Sequence, residues 1–338
     1  MIVSADGIVL GRGFTQQAGG PHAEIMALRD ARAQGRDVRG ATVYVTLEPC
    51  SHHGRTGPCC EALAAAGVSR VVASLEDPNP QVAGKGFARL RAAGIDVEVG
   101  PAAAESRELN LGFFSRMVRR RPWVRLKVAM SLDGFTALPD GRSQWITSEE
   151  SRADTQRWRA RSSAILTGVG TVLADDPRLD VRLDDAPRQP HLVIADGRLE
   201  TPDDARLFKT PRQVWIYASD SDPQRRRQLE ARGASIQFRP GRGSRIDLRS
   251  MMSDLAAREV NELHVEAGAR LNGALLEDDL VDELLVYVAP KLLGGGLGMA
   301  HSPAAATLEK LEALDWLEHG RCGRDLRLRL RFPGHAQF

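Results

Sequence analysis

The sequence predicts an α/β protein built as two domains, and three observations carry that expectation. Segments of strand and helix composition alternate along nearly the whole chain, which argues for largely parallel sheets covered on both faces. At 338 residues there is room for two cores of ordinary size. Arg121-Pro122 ends a long helical stretch, because the residue before a proline is pushed out of the helical region. The boundary is therefore expected near residue 121, giving domains 1–120 and 122–338.

In the first domain, Ile8 to Phe14 reads as a strand, and Ala18-Gly19-Gly20 breaks the chain before a helix from His22 to Gln34. Gly35 stops that helix. Ala41 to Leu47 has strong strand composition. A second helix starts at Pro58 or Cys59, where proline suits the first turn. Val71 to Ser74 is a short strand, Gly86 to Ala93 a helix, Ile95 to Val99 a strand and Ala102 to Arg120 one long helix.

The second domain opens with a strand from Trp123 to Met130 and the turn Leu132-Asp133-Gly134. Ser148 to Arg161 reads as a capped helix, with Glu149 and Glu150 in the first turn where the helix dipole favours negative charge. Strands follow at Ser163–Thr167, His191–Ala195, Val214–Tyr217, Glu262–Glu266 and Asp282–Ala289, with Asp325–Phe332 as an edge or hairpin strand.

A formal net charge of +2 gives no bulk electrostatic case for binding nucleic acid or a membrane surface. The arginine runs Arg119–Arg121 and Arg225–Arg227 are expected to be solvated helix ends. No stretch has the roughly 18 apolar residues of a membrane helix, and Met1 to Leu10 does not read as a signal peptide. Four cysteines, three of them clustered, are too few for a disulfide framework and suggest a reducing cytoplasm. Cys322 is expected to be a buried small hydrophobe.

The chemistry concentrates between Pro21 and Cys60. His22, Cys50 and Cys59 can give a metal three protein ligands, and catalytic zinc keeps a fourth position open for water. His22 and Cys59 fall at helix starts, where partial positive charge favours thiolate. Glu24 is then free to move protons between water and a leaving amine. Zinc deaminases carry His-x-Glu with Pro-Cys-x-x-Cys; here eight residues separate the cysteines. A structural zinc site, the histidine and cysteines packed without metal, Cys60 replacing Cys59, and His52 or His53 as ligands or as substrate-lining groups all stay open on the residues alone.

In the second domain, Gly168-Val169-Gly170 has Leu173 where a dinucleotide fingerprint would have its third glycine, and no acidic residue fits a ribose clamp. Gly168 and Gly268 nevertheless each sit between a strand and a helix, where backbone N–H groups bind phosphate. A dinucleotide site of another kind is left open.

The Cys-x8-Cys loop, Ala18 to Glu24, Thr46-Leu47-Glu48-Pro49-Cys50 and Glu76-Asp77-Pro78-Asn79-Pro80 resemble the deaminase half of the bifunctional riboflavin-pathway deaminase/reductases. Leu126 to Gly134, Ser143 to Ser148, Leu166-Thr167-Gly168, Leu173 to Pro177 and Val265 to Gly268 resemble the reductase half, so the likeness spans the chain. It implies a cytidine-deaminase-like three-layer α/β/α domain followed by a dihydrofolate-reductase-like α/β domain. It implies zinc and NADPH as cofactors and a pyrimidine ribosylamino phosphate as substrate. By position, it implies NADP contacts at Ala129, Trp145, Thr171, Asp175, Gly197, Gly268, Ala269, Arg270, Leu271, Asn272, Gly273 and Ala274. Substrate contacts are implied at Ser143, Arg159, Leu179, Arg182 and Glu266, and the arginines suit a sugar phosphate. Lys127 and Asp133 are expected near the reacting sugar, and a homo-oligomer is expected.

Two departures qualify the resemblance. Ala195-Asp196-Gly197-Arg198 differs from the family's usual Asp-Ser there. The family's amino-terminal helix and Pro-Asn-Pro-x-Val-Gly turn have no counterpart ahead of Met1-Ile2-Val3. The turn helps cradle the pyrimidine, so the alternative expectation is a reductase or nucleotide-binding protein with impaired deaminase.

Overall fold

A strand only two residues long, β1 (Ile2–Val3), lies between β2 (Val9–Gly11) and β3 (Thr42–Leu47) and is antiparallel to both. β4 (Arg70–Leu75) and β5 (Asp96–Val99) continue the sheet parallel to β3, giving the order β2-β1-β3-β4-β5. Helices α1 (Ala23–Ala33), α2 (Cys59–Ala65) and α3 (Lys85–Ala92) share one face, because Ala27, Leu63 and Leu90 pack in one core with the alternating Val43 and Val71. α4 (Ala103–Leu109) packs on β3 and β4, with Ser106 Oγ donating to Thr46 O at 2.6 Å. This is the computed structural model of the chain; it describes residues 1–17, 19–52, 57–243, 245–301 and 313–338. It divides into two units, Met1–Val118 and Arg119–Phe338.

Two expectations for the first unit are corrected. The strand foreseen from Ile8 to Phe14 is only Val9–Gly11, because Arg12 N leaves the ladder to donate to Asp30 Oδ2 at 2.8 Å. The single helix foreseen from Ala102 to Arg120 breaks at Asn110, whose side-chain Nδ2 donates to Ser106 O at 2.7 Å and takes the carbonyl its own main chain would use. A short α5 (Leu111–Phe114) and a π-turn (Ser115–Arg119) follow.

The second unit runs β6 (Trp123–Ser131), β7 (Phe135–Ala137), α6 (Glu149–Arg161), β8 (Ala164–Gly168), α7 (Val169–Asp175), β9 (His191–Ala195), β10 (Val214–Ala218) and α8 (Pro223–Ala231). It continues with β11 (Ala234–Phe238), α9 (Leu248–Ala257), β12 (Glu262–Val265), α10 (Ala269–Glu277), β13 (Glu283–Ala289), β14 (Leu297–Gly298), β15 (Asp315–Cys322) and β16 (Asp325–Arg331). Its main sheet has the order β11-β10-β9-β8-β12-β6-β13-β16-β15, with the first seven strands parallel, β16 antiparallel to β13 and β15 antiparallel to β16. Leu126, Leu166 and Val265 pack with Met251, Leu255 and Leu275 of α9 and α10, while Ile165, Leu192 and Ile216 pack with Val172 and Leu229 of α7 and α8. Both faces are covered, which explains the continuous apolar runs in these strands.

Charge is also buried here. Arg125, 1% exposed, pairs with Glu283 and Glu262 at 2.9 Å each, and its guanidinium stacks on one side of Trp158 while Arg329 stacks nearby. Arg119 and Arg121 are not solvated helix ends: they bond the fully buried Asp282 at 3.0 and 2.8 Å. Arg225 likewise caps the carbonyls of Leu199 and Thr201. Cys322 is only half-buried; β16 forms the foreseen hairpin, with β15, which takes the edge of the sheet. No helix among the described residues is long and apolar enough to cross a membrane.

Candidate functional site

His22, Cys50 and Cys59 meet because three local signals deliver them. His22 is the N-cap of α1, Cys50 follows the end of β3, and Pro58 caps α2 so that Cys59 is its first residue. The ligand atoms lie within 4.8 Å of one another, and among the described residues they form the one His/Cys/Asp/Glu group able to hold a metal. His22 Nδ1 lies 3.5 Å from Cys50 Sγ and 3.4 Å from Cys59 Sγ. Nitrogen and sulfur ligands on a tetrahedral zinc are separated by about 3.5 Å, so the spacing fits that ion.

The protonation chemistry fits as well. Cys59 N donates to Cys50 Sγ at 3.3 Å from the start of α2. Hydrogen bonding from Cys59 pulls the Cys50 thiol down to about 4, while Cys50 and burial push Cys59 up. The two sulfurs compete for one proton, and a dication lets both ionise. Glu24, in the first turn of α1 and 8% exposed, is held above the usual carboxylate range by burial, with His22 pulling the other way. Cys60 points into the core beside Val43 and Leu63. His52 is half-buried, and His53 lies outside the described residues.

Glu48 was legible only as part of a motif, and the fold gives it a task. Its buried carboxylate accepts from the backbone N–H groups of Asp77, Gly84, Gly86 and Phe87 at 3.3, 2.8, 2.7 and 3.2 Å. This ties the loop bearing Cys50 to the start of α3. Gly86 makes the approach possible, since a Cβ there would fall 2.0 Å from Pro49 O.

In the second unit, Gly168 ends the parallel strand β8, and Gly197 and Glu266 follow the carboxyl ends of β9 and β12, the edge where open α/β sheets bind ligands. Arg159 joins Glu266 at two points, Nε to Oε1 at 2.5 Å and Nη2 to Oε2 at 2.9 Å, and its Nη1 donates to Asp180 O at 2.8 Å. Arg182 enters the same group through Asp180 Oδ1 at 2.6 Å, and Leu179 adjoins it. Ser143 lies half-buried in a separate loop, outside this hydrogen-bonded group. Lys127 is half-buried on β6; burial lowers its ammonium pKa, Glu266 raises it and Arg159 lowers it again. Asp133 instead holds the chain at Leu293 and Gly294, accepting their N–H groups, and bonding from Ser131 pulls it down to about 2.

The positions expected to meet the cofactor are spread along that edge. Ala129 is half-buried on β6, and Thr171 and Asp175 lie on α7, with Gln144 Nε2 donating to Asp175 at 3.4 Å. Trp145 is 65% exposed, with the Arg152 guanidinium 4.6 Å from its ring centre and Lys291 Nζ donating to its carbonyl at 3.0 Å. Gly197 O accepts from Ser219 N and Asp220 N, each at 3.0 Å. Gly268 caps α10 and is exposed with Arg270, Ala269 is half-buried, and Leu271 and Ala274 pack on the core. Asn272 and Gly273 are buried: Asn272 Nδ2 donates to Met299 O at 2.8 Å, and a Cβ on Gly273 would fall 1.9 Å from His301 O. These two residues hold the turn from inside. His264, fully buried with Nε2 at 3.4 Å from Glu266 Oε1, carried no sequence signal beyond its place in a strand.

A zinc-type ligand cluster with a buried carboxylate on one sheet, and a charged crevice edge on another, define a two-part enzyme with separate centres. Known proteins agree with that division. Residues 1–75 match the cytidine and deoxycytidylate deaminase zinc-binding region, and residues 122–325 match the RibD C-terminal domain. The riboflavin biosynthesis protein RibD of Escherichia coli K12 is 45% identical, covering 97% of this chain and 91% of that protein. RibD of Aquifex aeolicus is 40% identical over 88% and 82%. Among solved structures, Acinetobacter baumannii RibD superposes with a TM-score of 0.88 at 40% identity, covering 98% of this chain and 90% of that one. A Thermotoga maritima diaminohydroxyphosphoribosylaminopyrimidine deaminase/5-amino-6-(5-phosphoribosylamino)uracil reductase superposes at 0.85 with 30% identity and the same coverage. The chain belongs to the RibD family, the bifunctional deaminase/reductases of riboflavin biosynthesis.

Proposed function

We propose that residues 1–118 hydrolytically deaminate 2,5-diamino-6-ribosylamino-4(3H)-pyrimidinone 5′-phosphate and that residues 119–338 reduce the ribosyl group of the product. The final product is 5-amino-6-ribitylamino-uracil 5′-phosphate. The observation that carries the first step is a buried Glu24 beside the convergent His22, Cys50 and Cys59. Zinc on those three residues supplies Lewis acidity that makes water nucleophilic near neutral pH. Glu24 takes a proton from the attacking water and passes it to the departing amine, and ammonia leaves. Its raised affinity for protons, caused by burial, suits both halves of that transfer. Glu48 keeps Cys50 in register through its four backbone bonds.

In the second step NADPH supplies the hydride that reduces C1′ of the ribose. The chain's own work is to bring the two reactants within reach of each other. Arg182 and Arg159 hold the sugar phosphate, Glu266 and Ser143 orient the substrate, and Lys127 approaches the sugar from β6. The N-terminal turn of α10 from Gly268 to Leu271, with Thr171, Asp175, Gly197, Trp145 and Ala129, receives the dinucleotide. The shared strand-end edge and the Arg159–Glu266 pair support this reading. Four cysteines outside any disulfide support a cytoplasmic setting, and the edge of β15, unpaired among the described residues, with its exposed Trp316 supports association of like chains.

A coupled assay on the diaminopyrimidine phosphate tests both steps by following ammonia release and NADPH oxidation separately. Both signals are expected, ammonia first. NADPH oxidation that appears only when the deaminated product is supplied would leave only the reductase.

A further inference from the structure

We propose that Arg212 is a positioning residue of the reductase, holding Leu179 in the left-handed backbone region so that the 178–182 segment presents Arg182 and Asp180 to the Arg159–Glu266 pair. The inference rests on the reading of that segment as part of the sugar-phosphate site.

Leu179 has φ of 49° and is 4% exposed. A leucine there is disfavoured by contact of Cβ with the following carbonyl, and left to itself it would adopt this shape in roughly one chain in ten. The rest of the segment is fixed by neighbours that follow from its position. Val181 exchanges two hydrogen bonds of 2.8 Å with Gln189, Arg182 N donates to Gln156 Oε1 at 3.0 Å, and Asp180 O accepts from Arg159. The Asp180 carboxylate is gripped by Arg178 and Arg182, each at 2.6 Å. None of these bonds holds the peptide units on either side of Leu179.

Arg212, two residues before β10, does. Its Nη1 donates to Leu179 O, and its Nη2 donates to Arg178 O at 2.5 Å. One planar guanidinium thus binds two successive carbonyls, which fixes the rotation between them. The arrangement is costly for the arginine. Its Nε is buried with no acceptor, and burial pulls its pKa down to about 10. No carboxylate pairs with it among the described residues, so the main chain around Leu179 is what it serves. If Leu179 left the left-handed region, Asp180 O would turn away from Arg159 and Arg182 would lose its place beside the pair.

Reductase kinetics on the deaminated pyrimidine ribosylamino phosphate test this, with Arg212→Met, Leu179→Gly, the double variant and Arg182→Ala. Arg212→Met is expected to raise KM for the sugar-phosphate substrate about tenfold while KM for NADPH stays within about twofold. Glycine adopts positive φ freely, so in the Leu179→Gly background the same substitution is expected to cost only about twofold. An equal penalty in both backgrounds, an equal rise in both KM values, or no rise at all would overturn the clamp. If Arg182→Ala leaves the substrate KM unchanged, the sugar-phosphate reading itself fails. A rise for Arg182→Ala with a silent Arg212→Met sinks the clamp alone. Should Arg212→Met not fold, Arg212→Lys, which can reach one carbonyl but not both, is measured in the same two backgrounds against the same pattern.

Discussion

Arg159 and Glu266 meet as a two-point ion pair, with side chains only 10% and 13% exposed. The guanidinium donates to both carboxylate oxygens and to Asp180 O, three of its five N–H groups. Removing one partner leaves the other charged and desolvated, which costs about 3–5 kcal/mol. Arg159→Met and Glu266→Gln should each lower the unfolding free energy measured in urea by that order and abolish reduction. The double variant, which buries no charge at either position, should recover part of the stability and none of the activity.

Glu24→Gln keeps the shape of α1 and removes the proton carrier. Ammonia release should fall by about 100- to 10,000-fold, with zinc content unchanged. NADPH oxidation on pre-deaminated substrate should continue at the original rate. Unchanged ammonia release would remove Glu24 from the mechanism.

Cys59 and Cys60 are adjacent, yet one faces His22 and the other the core. Cys50→Ser and Cys59→Ser should each lose zinc on dialysis against a weak chelator, and Cys60→Ser should retain it. Metal analysis by mass spectrometry distinguishes the outcomes. Retention by Cys59→Ser would overturn the ligand set.

His264 is buried among Glu266, Arg125 and Arg159, and desolvation holds its pKa below the usual value even though Glu266 favours the charged form. The unfolded chain therefore binds a proton that the folded chain refuses. Stability is complete above the unfolded value of about 6.5 and falls as the pH drops below it, by at most about 1.4 kcal/mol per unit. Glu266, held well below 4.5 chiefly by Arg159 against the pull of burial, contributes stability above the unfolded carboxylate range that is lost only in stronger acid. His264→Leu should reduce the fall of the denaturation midpoint between pH 7 and 5, leaving the smaller part that His191, also lowered by burial, contributes. A slope unaltered by the substitution would assign the pH 7 to 5 change elsewhere.

The metal cluster was legible because each member is placed by local rules: a helix start, a strand end and a proline cap within 38 residues of chain. Six of the seven parallel strands of the main sheet were legible because both their faces are apolar, whereas β11, with Ser235 and Gln237 on its half-buried side, was not foreseen. Other elements gave no such pattern. α8 buries only Leu229 among its nine residues, so its periodicity is silent, and β15 exposes Trp316 and alternates poorly as an edge. Buried charge misled the reading in the same way. Arg119, Arg121 and Asp282 look solvated along the chain and are joined only when β13 comes to lie beside β6. Glu48 and Arg212 act on main-chain atoms more than 25 residues distant, which spacing cannot express.

β6 is the first strand of its unit to be made and sits between β12 and β13, two of the later ones. At ribosomal rates of 5–20 residues per second, its apolar surface waits roughly ten to thirty seconds for Glu283–Ala289 to emerge. The nascent reductase therefore has no closed central sheet until synthesis is nearly over. Holdase chaperones should engage the ribosome-bound chain throughout that interval, and truncation before β13 should yield aggregates rather than a smaller folded unit.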